Sequence, residues 1–188
     1  MSSLYDPAAP PGTPIQTAVV VPVPEADLVV NEHRQRLDRA AVWGVPAHVT
    51  VVYPFAPPAT VDDGVVARLT AAVASVRAFD CTFATTSWFG RDVLWLAPEP
   101  AEPFQQLTSQ VWAAFPDFPP YGGAFADPVA HLTVAERALG QPGDLAAVEA
   151  AVQPVLPIRQ RIDHVLLIAG NQQPNSWRIL HRIDLADS

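Results

Sequence analysis

The sequence predicts an α+β fold built from a duplicated strand–helix–strand–helix–strand unit, with antiparallel sheets around a central groove. Apolar residues alternate between strand-like and helix-like spacing along most of the chain. A short segment occurs twice, as Ala-His-Val-Thr-Val at 47–51 and as Ala-His-Leu-Thr-Val at 130–134. The same order of predicted elements surrounds both copies. An internal duplication explains this agreement better than chance, and it predicts two pseudo-symmetric lobes.

The first unit begins with a Val-rich strand. Residues 17–23 form a short apolar run between prolines, which is typical of a buried strand. Residues 26–41 follow with helical spacing, and Gly44 and Pro46 end this helix. The segment 48–54 has the composition of a strand and contains the first His-Val-Thr sequence.

A second helix and a hairpin complete this unit and lead into the next. Thr60 and Asp63 resemble a capping box, and the apolar residues after them, from Val66 to Val76, recur at spacings of three and four. Residues 81–88 and 93–96 flank a Phe-Gly-Arg-Asp turn, which predicts a hairpin.

The second unit begins near Val93 and repeats the order of the first. Its predicted elements are a helix over 104–115, a loop over 119–127, a strand over 129–135, a helix over 145–152 and a closing hairpin of 162–169 with 177–185. We therefore expect one bilobal domain with interleaved lobes over residues 15–188. The Pro- and Ala-rich residues 1–14 before it are predicted to be a mobile tail.

Composition limits the kind of ligand. The net charge is −8 and the sequence pI is near 4.9. Long nucleic acids are held largely by cationic side chains on phosphates, so a long nucleic-acid groove is not expected. A small phosphate-bearing ligand needs only a local site. The composition thus favours a small substrate.

The chain also lacks several features that would point elsewhere. It has one cysteine, Cys81, which excludes an internal disulfide and a cysteine-based zinc cluster. No stretch approaches the ~18 apolar residues of a membrane helix. We expect a cytoplasmic monomer without membrane contact.

The two His-x-Thr sequences are the candidate site. Side chains at positions i and i+2 of a strand point to the same face, so His48 projects with Thr50, and His131 with Thr133. A polar pair on an otherwise apolar strand must find partners or border water. If the two lobes lie side by side, all four side chains line one cleft. The competing interpretation is that both histidines are satisfied core residues on duplicated strands.

This set of groups suits phosphodiester chemistry. One neutral His can accept a proton from attacking water while the other, protonated, donates to the departing oxygen. Two hydroxyls can bind the non-bridging oxygens, where charge is held in the transition state. Since side chains supply every part, we predict catalysis without a metal or cofactor. Which His is the acid stays open.

These segments resemble the two-histidine (2H) phosphoesterase superfamily, and within it the 2′-5′ RNA ligases and cyclic phosphodiesterases. Residues 44–55, Gly-Val-Pro-Ala-His-Val-Thr-Val-Val-Tyr-Pro-Phe, resemble the first family motif, and residues 129–134, Val-Ala-His-Leu-Thr-Val, the second. Residues 87–96 resemble the central hairpin of the family. The resemblance extends from about Thr17 to Leu185.

The resemblance implies a bilobal fold with His48, Thr50, His131 and Thr133 in the central groove. It also implies hydrolysis of 2′,3′-cyclic phosphates or 2′-5′ linkages, in small nucleotides or RNA ends, without a cofactor. One departure is visible: relatives often have a basic residue shortly after the second motif, whereas here Glu136 precedes Arg137.

Four further residues are candidate substrate-binding groups. Arg91 and Arg137 are candidates for binding a phosphate, although a solvated role for Arg91 is equally consistent with its turn. Tyr53 and Trp88 are candidate walls of the groove, with sheet packing as the alternative for Trp88. The loop that contains Gly122 and Gly123, with Tyr121 and Phe125, is a candidate lid or an ordinary mobile loop. We interpret the other histidines, His33, His164 and His181, as structural or surface residues.

Two rival functions remain. A metal-dependent hydrolase needs about three convergent ligands, and neither motif has such neighbours at metal spacing. A catalytically silent module that binds nucleotides or RNA ends would keep the same groove without turnover.

Overall fold

The computed structural model describes residues 12–187. Residues 1–11 of the predicted tail, and Ser188, lie outside the described residues, so the mobility of the tail stays a prediction. The strands are β1 (Gln16–Pro22), β2 (His48–Val52), β3 (Phe79–Phe89), β4 (Val93–Glu99), β5 (Leu132–Glu136), β6 (Ile158–Ile162), β7 (His164–Gly170) and β8 (Arg178–Asp184). The α-helices are α1 (Pro24–Leu37), α2 (Arg39–Val42), α3 (Asp63–Val73), α4 (Glu102–Ala114) and α5 (Asp144–Val152).

The strands form two four-stranded antiparallel sheets, in the orders β2-β1-β7-β8 and β5-β4-β3-β6. The predicted α+β class with antiparallel sheets is confirmed. Each sheet has the strand of one His-x-Thr sequence at its edge, paired with the strand that opens its unit. Strand β3 belongs to the first unit but lies in the second sheet, and β7 belongs to the second unit but lies in the first sheet. This exchange ties the two halves of the chain together.

The hydrophobic core lies behind the His-x-Thr strands. Val49 and Val51 of β2, and Leu132 and Val134 of β5, are buried in one continuous apolar cluster. Because neighbouring side chains on a strand point to opposite faces, burial of these residues turns the His and Thr side chains away from the core. A smaller apolar cluster, which includes Val20 of β1, packs on the other face of the first sheet.

Two local predictions from the sequence were wrong, and one strand was not predicted. The helix expected over 26–41 is interrupted at Asp38, which has an extended backbone. The Asp38 carboxylate caps α2 by accepting the Ala40 N–H at 2.9 Å. The capping box at Thr60 does not form, because Asp62 caps α3 and accepts the Val65 N–H at 2.9 Å. Strand β6 was not predicted at all. It pairs with β3 and buries only its two terminal isoleucines.

Candidate active site

One cavity of about 230 Å³ brings both His-x-Thr sequences together. His48 and Thr50 reach it from β2. Thr133 reaches it from β5, and His131 from the residue just before β5, because pairing with β4 starts only at Leu132. All four side chains are partly exposed rather than enclosed in the core. The apolar part of the cavity wall comes from the smaller apolar cluster, which includes Ala18 and Val20 of β1.

The two imidazole rings are held in the same way. His48 Nδ1 lies 2.8 Å from the carbonyl oxygen of Pro46, and His131 Nδ1 lies 2.8 Å from that of Val129. A carbonyl oxygen can only accept, so Nδ1–H is the donor in both bonds. In each neutral ring Nε2 is then the unprotonated nitrogen, free to accept a proton.

Burial sets the charge state of these rings. It lowers the pKa of His48 from 6.5 to about 4, and the nearby Arg34 guanidinium acts in the same direction. Burial also lowers the pKa of His131, while the Val129 carbonyl and Asp38 oppose that shift. In the free protein both rings are therefore mostly neutral at neutral pH.

The cation behind His48 is itself almost completely buried. Arg34 donates to Asp38 at 2.9 Å and to Asp27 at 3.4 Å, and it also donates to the Val45 carbonyl at 3.3 Å. A buried charge is tolerated only when it is paired and hydrogen-bonded, and Arg34 meets both conditions. The charge of Arg34 thus contributes to the local field without offering a free donor to a ligand.

Tyr121 brings a further hydroxyl into the cavity. Burial raises the pKa of its phenol, and the neighbouring Thr50 side chain opposes that shift. The Tyr121 backbone N–H donates to the Tyr53 carbonyl at 2.7 Å. Tyr121 and Gly122 have left-handed backbone angles, with φ of 53° and 62°. A tyrosine rarely adopts this conformation without support from its surroundings. The loop therefore holds Tyr121 over the cavity.

A second cavity of about 460 Å³ adjoins the first at His131 and Thr133. Its wall is largely apolar and is formed by Phe89, Val93, Phe125, Pro128 and Val129. The His131 ring lies edge-on to Phe89, with ring centroids 4.9 Å apart. His131 therefore stands at the junction of the two cavities.

Of the four predicted substrate-binding residues, Tyr53 lines the two-histidine cavity and the other three do not. Trp88, Arg91 and Arg137 border a separate surface depression. Trp88 donates to Glu149 at 2.9 Å, and Arg137 pairs with Asp92 at 3.3 Å.

For two of these residues, Trp88 and Arg137, the side chain that lines a cavity belongs to a direct neighbour in the sequence. Trp88 and Phe89 are neighbours on β3 and point to opposite faces, so Phe89 rather than Trp88 lies beside His131. Likewise Glu136, rather than Arg137, lines both cavities. Its carboxylate accepts from Arg39 at 3.0 Å. Burial raises the pKa of Glu136, and the charge of Arg39 opposes that shift.

The described residues form neither a cluster of metal ligands nor a membrane-spanning helix. Over 12–187, no three His, Cys, Asp or Glu side chains lie close enough to hold a metal ion together. In the same range no helix has the length and apolar character to cross a membrane.

Comparison with known proteins identifies the family and the fold. A family model for the 2′-5′ RNA ligase superfamily matches residues 21–174. The fold is similar to apo Escherichia coli LigT, with 14% identity, 93% of this chain and 99% of that chain covered, and a TM-score of 0.59. It is also similar to TT0787 of Thermus thermophilus, with 16% identity, 93% and 100% covered, and a TM-score of 0.58. No curated protein matches the chain in sequence.

Proposed function

The chain belongs to the 2′-5′ RNA ligase superfamily, and we propose that it is a metal-independent phosphodiesterase acting on 2′,3′-cyclic phosphate or 2′-5′ phosphodiester bonds in small nucleotides or RNA ends. Its family and fold, those of the 2H phosphoesterases, support a phosphoesterase-like function. The observation that carries the proposal is the matched pair of rings, His48 and His131, each with Nε2 free in one cavity.

We assign the base to His48 and the acid to His131. Burial and Arg34 favour the neutral form of His48, which is the form that accepts a proton from water. His131 borders the larger adjoining cavity, which has room for the departing part of the substrate. As water attacks phosphorus, its proton passes to His48 Nε2. The P–O bond to the departing oxygen breaks, and protonated His131 supplies a proton to that oxygen.

The hydroxyl groups complete the chemistry. Thr50 and Thr133 line the same cavity and can donate to the two non-bridging oxygens of the phosphate. The Tyr121 phenol lines the same cavity beside Thr50, and by donating to the Thr50 oxygen it would restrict the direction of the Thr50 hydroxyl. A group whose orientation is fixed before the substrate binds loses less entropy in the transition state.

The relatives of known structure support a small nucleotide as the ligand. E. coli LigT has been crystallised with 3′-AMP, with ATP and with NADP+. Those ligands belong to that protein. They support a nucleotide as the kind of ligand, and they do not define how many phosphate groups this chain accepts.

The test is a hydrolysis assay in excess chelator with a 2′,3′-cyclic nucleotide and a 2′-5′ dinucleotide. We expect turnover of at least one of them, unchanged by chelator. The exposed His181 supplies a matched control, and His181→Ala should keep that activity. Loss of activity in chelator that a divalent ion restores would favour a metal-dependent hydrolase. Nucleotide binding without any turnover would favour a silent module for nucleotides or RNA ends.

A further inference from the structure

We infer that Glu136 selects the substrate by charge, an inference that rests on the proposed function. The cleft formed by the two adjoining cavities takes a phosphodiester that has no second phosphate group. The selection concerns the other groups of the ligand rather than its reacting phosphate. It follows from where the β5 strand places Glu136 and from which charges line the two cavities.

A β-bulge delivers Glu136 to the cleft. In the pairing of β4 with β5, Trp95 faces Thr133 and Leu94 faces Ala135, which leaves Val134 as an extra residue. Strict alternation from Thr133 would place Arg137 on the cleft side. Because the extra residue shifts the alternation by one, Glu136 lines the cleft and Arg137 lies at the surface. Bulges near active sites commonly redirect a side chain in this way.

The charges that line the cleft are negative. Asp38, Asp127 and Glu136 line one or both cavities, whereas no arginine of residues 12–187 lines either of them. The sequence contains no lysine. Arg39 contacts Glu136 from outside, and its side chain is half exposed. A second phosphate would therefore approach carboxylates and meet no cation among the described residues that line the two cavities. Such like-charge contacts are unfavourable.

The reacting phosphate does not meet the same obstacle. It lies among two imidazoles and two hydroxyls, which supply donors and one positive charge once a ring is protonated. The adjoining cavity offers mainly apolar wall to the rest of the ligand. The substrate class that fits both parts is a nucleoside-type phosphodiester with one negative charge. Polyphosphates and 5′-phosphorylated ends do not fit it.

Binding measurements test this selection independently of turnover. The ligands are 2′-AMP and adenosine 2′,5′-bisphosphate, titrated calorimetrically at pH 7.5 and constant ionic strength. In the wild type we expect the second phosphate to weaken binding at least about tenfold, which corresponds to ~1.4 kcal/mol. Glu136→Gln should reduce that penalty to about threefold or less. Glu32→Gln removes the same charge from an exposed position on α1 outside the cavities and should retain the full penalty.

A second pair of variants separates the carboxylate from its partner. Removing Glu136 also releases Arg39, which could then bind a phosphate. Arg39→Gln alone should increase the penalty, because it leaves Glu136 without its neutralising partner. The double variant with Glu136→Gln and Arg39→Gln should still show the reduced penalty. A return to the wild-type penalty in the double variant would assign the effect to Arg39 and overturn the inference.

Failure of this inference differs from failure of the proposed function. Equal affinity of the wild type for both ligands, or an unchanged penalty in Glu136→Gln, overturns charge selection whatever the turnover result. Binding with the expected penalty but no hydrolysis of any cyclic or 2′-5′ substrate overturns the phosphodiesterase and supports the selection. A wild type that binds neither ligand contradicts both.

Discussion

His48 and His131 each donate Nδ1–H to the carbonyl oxygen two residues earlier in the chain, and the distance from Nδ1 to that oxygen is 2.8 Å in both cases. The duplicated sequence thus repeats more than a residue pattern, since it repeats a local geometry that selects one tautomer. Both rings direct an unprotonated Nε2 away from the backbone. An acid and a base built from this pair therefore differ only through their surroundings.

The pH dependence of kcat/KM should be bell-shaped with its maximum below pH 6.5. This parameter reports the free enzyme, in which His48 must be neutral and His131 protonated. The rate should fall below about pH 4, where His48 gains its proton, and fall again as the pH rises through the lowered pKa of His131. A bound phosphate anion favours the charged rings, so the kcat profile should lie at higher pH. A flat kcat/KM between pH 5 and 9 would be incompatible with these roles.

Acid should destabilise the fold through His48. The pKa of His48 is about 4 in the folded chain and near 6.5 when unfolded, so the unfolded state binds more protons between these values. The free energy of unfolding should therefore rise with pH across this window, by up to about 1.4 kcal/mol per pH unit. Urea denaturation at several pH values measures it. His48→Gln should flatten the slope and the exposed control His181→Gln should not. Equal slopes in all three proteins would contradict the lowered pKa of His48.

Arg34 should be more important for stability than an exposed arginine. Arg34→Met leaves Asp38 buried without its partner, and breaking a buried pair in this way costs about 3–5 kcal/mol of unfolding free energy. Adding Asp38→Asn removes the isolated charge and keeps a side chain able to cap α2, so the double variant should recover part of the loss. The solvent-exposed Arg36 provides the control, as Arg36→Met should change stability by less than about 0.5 kcal/mol. No recovery in the double variant would mean that the loss arises from packing.

The hydroxyls should contribute less than the imidazoles. Thr50→Val and Thr133→Val each remove one hydrogen bond to a charged group, worth about 1.5–3 kcal/mol, or roughly ten- to a hundredfold in kcat. Tyr121→Phe should lower kcat by a smaller factor, because it removes only the group that orients Thr50. It should have no further effect in the Thr50→Val background. Equal losses from Tyr121→Phe in both backgrounds would show that Tyr121 acts independently of Thr50.

Sequence periodicity located the paired His and Thr residues because both follow a simple rule. Alternation along a strand places His48 with Thr50, and the buried valine between them turns the pair outward. Alternation along β5 does not determine which side Arg137 faces, because the bulge at Val134 depends on how β5 pairs with β4. Trp88 was the predicted groove wall, whereas Phe89 lies beside His131, since the face of a hairpin that meets the groove depends on tertiary packing.

The remaining differences have local causes. Strand β6 was missed although Ile-Arg-Gln-Arg-Ile alternates apolar and polar residues, a signal that is weak in five residues. The break at Asp38 was hidden because the apolar spacing continues across it. Only the structure shows that Asp38 both caps α2 and pairs with the buried Arg34.

The most direct test of the account is a double-mutant cycle on kcat/KM for a 2′,3′-cyclic nucleotide, with His48→Ala, His131→Ala and the double variant at the wild-type pH optimum. Each single change should reduce kcat/KM by about 10²–10⁴-fold, since each removes an acid or a base from one transition state. The double variant should then be far less impaired than the product of the two effects. Near-normal turnover after either single change, or losses that simply multiply, would contradict a shared acid–base role for His48 and His131.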